Sequence, residues 1–341
     1  MLFPKRQDFL PTQNAALGGT LRFELTREFH IEAIFAVVTF TVTTGFATAN
    51  ADALQNIINR AQVQISDGAR TRNVVDVSGP ALLELANQWQ GGLDRNTASF
   101  VGTSATGAKT LVYPIWFSHP QVSDPVGSLM LLPAPRFNTN PVVSLTIATQ
   151  AQMDTNVSPT FAATAGVNVQ LVVVRRQVTQ PGWVTFDTEL AEYSTSYPTT
   201  GNAQLYELQI PGSYTGIMLR DYTSASARGS IQTTGGENRL QLLGTVIRRF
   251  QVDHLQFEND YSIRLYPATW NNFTGSYYLD FLTDKVGECS GDLGSVLDAN
   301  ILQASGARIQ LLQDITGGAA VVRKYVAHRV FGDLKSVKFT T

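Results

Sequence analysis

The sequence predicts an all-β protein built as two tandem sandwiches or jelly rolls of about eight short strands each, with short helical inserts. Three observations carry this. Short segments of alternating apolar and polar residues recur along the chain, separated by Gly, Ser, Asp and Pro turns. Residue usage is rich in Thr, Val, Gln, Asn and Ser and poor in Lys, which favours strands and polar loops over helices. A quartet of strand candidates late in the chain echoes a quartet in its middle, in pattern and not in residue identity. No long amphipathic helix recurs between strands, so a βαβ domain is hard to draw.

At 341 residues the chain can bury a sizeable core and suggests two domains. Hydrophobic residues make up 43% and charged residues 15%. The charged share lies below the usual quarter or so, which argues for a surface set largely against neighbours. A net charge of -2 supplies no global basic field, so no specific nucleic-acid partner is expected. The lone cysteine, Cys289, excludes an intramolecular disulfide framework and any cysteine-rich zinc site. Pro4, Asp8 and Pro11 interrupt anything like the apolar core of a signal peptide. Ala33–Phe40, the most apolar run, is far short of the roughly 20 residues needed to span a bilayer as a helix. The chain is therefore expected to be made in the cytoplasm.

Residues 1–19 read as an N-terminal arm, with Lys5 and Arg6 among apolar neighbours and prolines that forbid a regular helix. A first sandwich is expected over 20–178. Leu21, Phe23 and Leu25 alternate with Arg22, Glu24 and Thr26, and a longer alternation runs from Ala36 to Thr43. Ala51–Asn59 suggests a helical turn. Ala61–Ser66 and Asn73–Val77 read as a hairpin around Asp67-Gly68, a pair suited to positive φ angles. Ser78-Gly79-Pro80 caps a short helix whose Leu82, Leu85, Ala86 and Trp89 form one apolar stripe. Gly91–Lys109 reads as a polar loop. The middle quartet is Leu111–Phe117, Ser128–Leu132, Val142–Thr149 and Val169–Arg175, with Gln150–Gly166 separating its last two members. Prolines among these strands are expected at edges and ladder ends.

Thr179–Gly182 marks the expected boundary, opening a second sandwich over 179–331 and a tail over 332–341. Strands are expected at Val184–Glu192, Gln204–Ile210, Thr215–Tyr222, Leu240–Leu243, Val246–Val252 and Tyr261–Tyr266. Thr223–Gly236 reads as an exposed excursion. The closing quartet is Tyr277–Leu282, Ser295–Leu302, Arg308–Gln313 and Ala320–Val330. Each quartet ends on a long strand with adjacent cations, Arg175-Arg176 and Arg323-Lys324.

A search for chemistry returns little. His30, His119, His254 and His328 are far apart with no metal-ligand spacing, so no metal site is expected. The stretch Gly102–Gly107 misses the GxSxG spacing and has no helix after it. Glu258 with Asp260, or Asp292 with Asp298, suggest solvated turns and not a calcium loop. No glycine-rich phosphate loop occurs, so no cofactor is expected. The aromatics Tyr261, Tyr266, Trp270, Phe273, Tyr277 and Tyr278 fit a sandwich core better than a sugar cleft. Arg175-Arg176, Arg248-Arg249 and Arg323-Lys324 offer at most one cation per sheet face, and read as inter-subunit ion pairs or rim charges. No catalytic residue is expected.

The N-terminal arm, the two halves of similar length, and the hairpin–Gly-Pro–helix insert from Ile65 to Trp89 together resemble the double jelly-roll major capsid proteins of tailless icosahedral viruses with an internal membrane, bacteriophages especially. The resemblance covers nearly the whole chain and rests on organisation. It implies two upright jelly rolls per subunit, homotrimers with a pseudo-hexagonal footprint tiling an icosahedral shell, and location in the virion. It also implies partners: neighbouring capsomers, penton and minor capsid proteins, and an internal viral membrane. Gly91–Lys109 and Thr223–Gly236 are then expected in outward loops. Lys5, Arg6, Lys335 and Lys338 are expected at the inner face or against neighbours. The alternative reading is a receptor-binding spike or a carbohydrate-binding tandem β-sandwich; a third is a β-sandwich polysaccharide hydrolase.

Overall fold

The computed structural model describes residues 5–66, 70–90, 106–118, 130–156, 162–177, 187–208, 213–233, 236, 238–242, 245–250, 275–280, 297–298 and 309–331. The chain divides into two compact units, Met1–Ala191 and Glu192–Thr341. The expected boundary turn at Thr179–Gly182 lies outside the described residues.

In the first unit the strands are β1 (Lys5–Phe9), β2 (Gln13–Ala15), β3 (Thr20–Glu24), β4 (His30–Thr44), β5 (Ile58–Ser66), β6 (Thr71–Val77), β7 (Gly107–Trp116), β8 (Val142–Ile147) and β9 (Ala162–Arg176). One sheet runs β1-β9-β4-β7, with β2 also on β9; the other runs β3-β8-β5-β6. All these pairings are antiparallel. The chain crosses repeatedly from one sheet to the other, which is the jelly-roll connectivity. Alternation decides which side is core. On β4, Ile34, Ala36, Val38, Phe40 and Val42 are buried, while Phe35, Val37 and Thr39 between them are only half-buried. Leu21 and Phe23, Ala61, Val63 and Ile65, and Val143, Leu145 and Ile147 fill the same core from the other sheet.

The hairpin is present as β5 and β6, with Ser66 opposite Thr71; its Asp67-Gly68 turn lies outside the described residues. Helix α1 (Gly79–Gln90) follows, and Leu82, Leu85, Ala86 and Trp89 are all buried. Its entry is tight. A methyl group on Gly79 would stand 2.2 Å from the Ile58 carbonyl oxygen and 2.9 Å from the Tyr113 ring. Glycine therefore lets the helix start press against β5 and β7. The helical turn expected near Ala51–Asn59 is a 3-10 turn at Ala53–Ile57, whose Gln55 carbonyl accepts the Tyr113 hydroxyl at 2.8 Å.

Several expectations need correction. Residues 5–9 and 13–15 of the supposed arm are strands hydrogen-bonded to β9. Ser128–Leu132 is no strand over its described part: Met130 and Leu131 are irregular, and Leu132 makes a single bridge to Ile31. Pro133 and Pro135 stop a ladder there by removing donors. Gln150–Gly166 is not a plain separator. Thr149 and Gln152 form a capping box that starts α2 (Gln150–Met153), and Ala162 already belongs to β9. Gly107 to Lys109 belong to β7, because they pair with Val42 to Phe40.

In the second unit the strands are β10 (Asp187–Ser196, which begins in the first unit), β11 (Gly201–Glu207), β12 (Ser213–Ser224), β13 (Ala227–Arg228), β14 (Asn238–Leu242), β15 (Thr245–Phe250), β16 (Ser276–Asp280), β17 (Leu297–Asp298), β18 (Ile309–Ile315) and β19 (Val322–Phe331). Strand β12 pairs with β19 on one side and with β13, β16 and β17 on the other. The second sheet runs β11-β18-β14-β15. These two orders repeat those of the first unit, with β19-β12-β16 matching β9-β4-β7 and β11-β18-β14-β15 matching β3-β8-β5-β6. The echo between quartets thus has a structural basis in β7/β16, β8/β18 and β9/β19. The core packs Leu208, Tyr214, Ile217, Leu219, Tyr277, Leu279, Leu311, Tyr325 and Ala327 together. Thr223–Gly236 is only partly the exposed excursion expected. Ile231 is buried, and its N–H donates to the Asp221 carboxylate at 3.3 Å while its carbonyl accepts from Thr316 at 2.6 Å. The Tyr261–Tyr266 strand lies outside the described residues.

Candidate functional site

The residues singled out for chemistry are dispersed. His30 is half-buried; burial and the nearby Arg136 guanidinium lower its pKa. His328 is buried, with its Nδ1 against the Thr215 hydroxyl. His119, His254, Cys289, Ser104, Glu258, Asp260 and Asp292 lie outside the described residues, and Asp298 stands on β17. Among the described residues, no three His, Cys, Asp or Glu side chains gather closely enough to hold a metal ion. Of the clustered aromatics, Tyr277 and Tyr278 are described, and both are buried.

What the fold does bring together is charge. The cations at the end of β9 are not rim charges. Arg175, 2% exposed, donates from Nε to Asp8 Oδ2 at 2.6 Å and from Nη1 to the Thr26 carbonyl at 2.8 Å. Arg176 donates from Nε to Glu32 Oε2 at 2.6 Å and from Nη2 to Glu32 Oε1 at 3.1 Å. Lys5 Nζ reaches the same Glu32 Oε1 at 2.9 Å. Arg6 pairs with Asp8 at 2.6 Å and Glu28 at 3.5 Å. The sequence-predicted Lys5 and Arg6 therefore sit on β1, half exposed, with carboxylate partners in their own chain. Lys335 and Lys338 lie outside the described residues.

In the second unit the same strand position carries a deeper network. Arg323 and Asp221, both fully buried, stand directly opposite on β19 and β12 and form a bidentate pair at 2.6 and 2.7 Å. Arg323 also donates to Gln313 Oε1, whose amide donates to the Tyr325 hydroxyl at 3.0 Å; Tyr197 meets that hydroxyl at 2.6 Å. Burial works against the guanidinium charge, but Asp221 outweighs it and raises the Arg323 pKa. Arg220 donates to Glu192 at 2.9 Å, and Lys324 stands 3.8 Å from the same carboxylate. Arg175, Arg176, Arg323 and Lys324, read from the sequence as inter-subunit ion pairs or rim charges, have carboxylate neighbours in their own chain. Their carboxylate partners lie on distant stretches of the chain, so adjacency in sequence gave no hint of them. The one available signal was a cation directly after or within a valine-rich strand, VVVRR and VVRKYV.

Tyrosines surround this network, Tyr206 half-buried and Tyr197, Tyr214, Tyr277 and Tyr325 buried. Tyr206 stacks on Tyr325 with centroids 3.7 Å apart. Burial, with help from neighbouring tyrosines, raises the Tyr206 pKa to about 12 and raises those of Tyr214 and Tyr325 further; burial also raises those of Tyr197 and Tyr277. The neutral phenol is thus favoured in the folded state. Its contribution is complete below the ordinary tyrosine value of 10.0 and is lost as pH rises through the folded-state values. The thermal midpoint is expected to hold steady from pH 7 to 9 and fall steeply between pH ~10 and ~12, with a shallower fall in Tyr206→Phe. A flat profile across that range would contradict the assignment.

The outer faces of the first unit differ. On β3, Thr20, Arg22 and Glu24 are exposed, and Arg60 on β5 pairs with Asp76 on β6 at 2.5 Å. That face is wet. On the other sheet, Phe9, Val172, Phe35 and Pro114 form one row across four strands. Trp116 packs edge-on against Phe35 at 5.3 Å. Phe9 is 65% exposed. Within this row only Phe9 stands exposed; Val172 and Phe35 are half-buried and Pro114 is buried.

No protein-family model matches the chain, and neither does any curated protein. Solved structures do match in fold. The major capsid protein of Sulfolobus turreted icosahedral virus is similar at 15% identity and a TM-score of 0.68, over 98% of this chain and 100% of that one. The major capsid protein P2 of bacteriophage PM2 is similar at 11% identity and 0.58, over 96% and 99%. A Faustovirus major capsid protein follows at 8% and 0.56, over 97% and 90%. The chain has the double jelly-roll fold.

Proposed function

We propose that this protein is the structural major coat subunit of an icosahedral virus, self-assembling as homotrimers whose six jelly rolls make one pseudo-hexagonal tile. The observation that carries this is a pair of jelly rolls of one topology filling the chain, on a fold that major capsid proteins share end to end. Three copies of two similar barrels give a six-sided footprint. The low charge suits broad polar contacts repeated between neighbours. The protein has no catalytic role in this reading, resides in the virion after synthesis in the host cytoplasm, and meets penton and minor capsid proteins and an internal membrane through its rims. Lys5, Arg6, Lys335 and Lys338 are the cations assigned to the inner face or to neighbours.

Light scattering on the purified chain is expected to give three times the 37.2 kDa protomer mass, with shells or sheets at high concentration under negative stain. A chain that stays monomeric at high concentration would count decisively against the coat role.

A further inference from the structure

We propose that the free edge of β1 is a homotypic contact, in which β1 of one copy pairs antiparallel with β1 of a second copy about a two-fold axis at Gln7. This deepens the coat reading and rests on it for the expectation that copies meet.

Among the described residues, β1 is the outermost strand of its sheet, bonded only to β9. The backbone fixes which groups face outward. Leu10 N–H donates to the Leu171 carbonyl at 2.9 Å, which makes that pair a hydrogen-bonded one. Stepping back by two along the register, Asp8 with Val173 and Arg6 with Arg175 are hydrogen-bonded pairs too. The N–H and C=O of Lys5, Gln7 and Phe9 therefore point away from β9, at an edge to which no described strand is bonded. Such an edge is a template for another strand.

The segment Lys5-Arg6-Gln7-Asp8-Phe9 selects its own partner. Two copies can place outward-facing groups opposite each other in three central registers. Centring on Arg6 sets Arg6 against Arg6, and centring on Asp8 sets Asp8 against Asp8; like charges directly opposite are destabilising. Centring on Gln7 sets Arg6 of each copy against Asp8 of the other, and both lie on the same face. That register also aligns Lys5, Gln7 and Phe9 with Phe9, Gln7 and Lys5, so every outward N–H and C=O meets a complementary group. Charge complementarity thus names a second copy of this strand, and it names one register. The paired strands would extend the apolar row of Phe9, Val172, Phe35 and Pro114 across both copies, with the Lys5 stem of one covering the Phe9 ring of the other, 65% exposed in the single chain.

The test uses the full chain with Cys289→Ser and either Gln7→Cys or Phe9→Cys, concentrated and mildly oxidised. On the two-fold axis, Cα atoms of a hydrogen-bonded pair lie about 5.5 Å apart, within disulfide reach. Two Phe9 positions, four residues out of register, are separated by roughly 14 Å. The Gln7→Cys chain is expected to form disulfide dimers at least ~10-fold faster than the Phe9→Cys chain, and Arg6→Asp added to it should slow the reaction several-fold. Equal rates for the two cysteines, or indifference to Arg6→Asp, would overturn the contact. Sizing the unoxidised variants separates this from the coat reading. Trimers without Gln7 cross-linking overturn the edge pairing and leave the coat reading standing. Cross-linked dimers from an otherwise monomeric chain uphold the pairing and overturn the coat reading.

Discussion

Asp221→Ala is expected to destabilise the second unit by about 3–5 kcal/mol, enough to remove much of the stability of an ordinary domain. Arg323 is fully buried and bonded at both Nε and Nη2 to this carboxylate. Removing Asp221 leaves a guanidinium that cannot shed its proton, cut off from water and left with Gln313. The Ile231 N–H loses its acceptor at the same time, freeing the turn that carries it. The loss should spread to the Gln313–Tyr325–Tyr197 chain that Arg323 orders. The decisive comparison is the double variant Asp221→Leu/Arg323→Met, which removes both charges and keeps the volume apolar. It should be less damaging than Asp221→Ala alone, because desolvation of the pair offsets much of its attraction. Urea unfolding of the three chains measures this. A single variant within ~0.5 kcal/mol of the parent would show that the pair is not dry.

Trp89→Ala should cost the first unit about 3–5 kcal/mol, against a smaller loss for Trp89→Phe. The side chain is 1% exposed at the last turn of α1, a helix of 12 residues that cannot stand alone in water. Its hold is tertiary. Ala81, Leu82, Leu83 and Leu85 are also buried, so the helix is enclosed on more than one stripe, and Gly79 fixes its start against β5 and β7. A cavity at Trp89 opens in a close-packed interior that relaxes only in part around it. Thermal unfolding followed by tryptophan fluorescence and circular dichroism reads the loss. A shift below ~1 kcal/mol would mean that the ring packs at an edge and not in the core.

The parts of the fold legible in the sequence are those set by local periodicity. Two-residue alternation marked β3, β4 and β5, and the Leu82, Leu85, Ala86, Trp89 spacing marked α1; β12 and β19 read as strands without alternation, and both are buried on both faces over much of their length. Prolines were harder to read: at Pro114 the strand continues, while Pro133 and Pro135 end one before it forms. The capping box at Thr149 and Gln152 was written in the sequence but brief enough to pass as loop. At the candidate site, Lys5 and Arg6 were visible as cations near an end. That they lie on a strand depended on β9 arriving alongside some 165 residues later, and the Lys5 partner Glu32 comes from β4.

The sequence by itself determined the all-β class and the faces of β3, β4 and β5, because these follow from residues two positions apart, and it marked two halves by the repeat of that pattern along the chain. Only the tertiary structure decided the fate of the charges. An arginine on a strand looks the same whether it meets water or a carboxylate from another strand. Asp8 and Arg175, Glu32 and Arg176, and Asp221 and Arg323 were joined by sheet register and burial, neither of which is a local property.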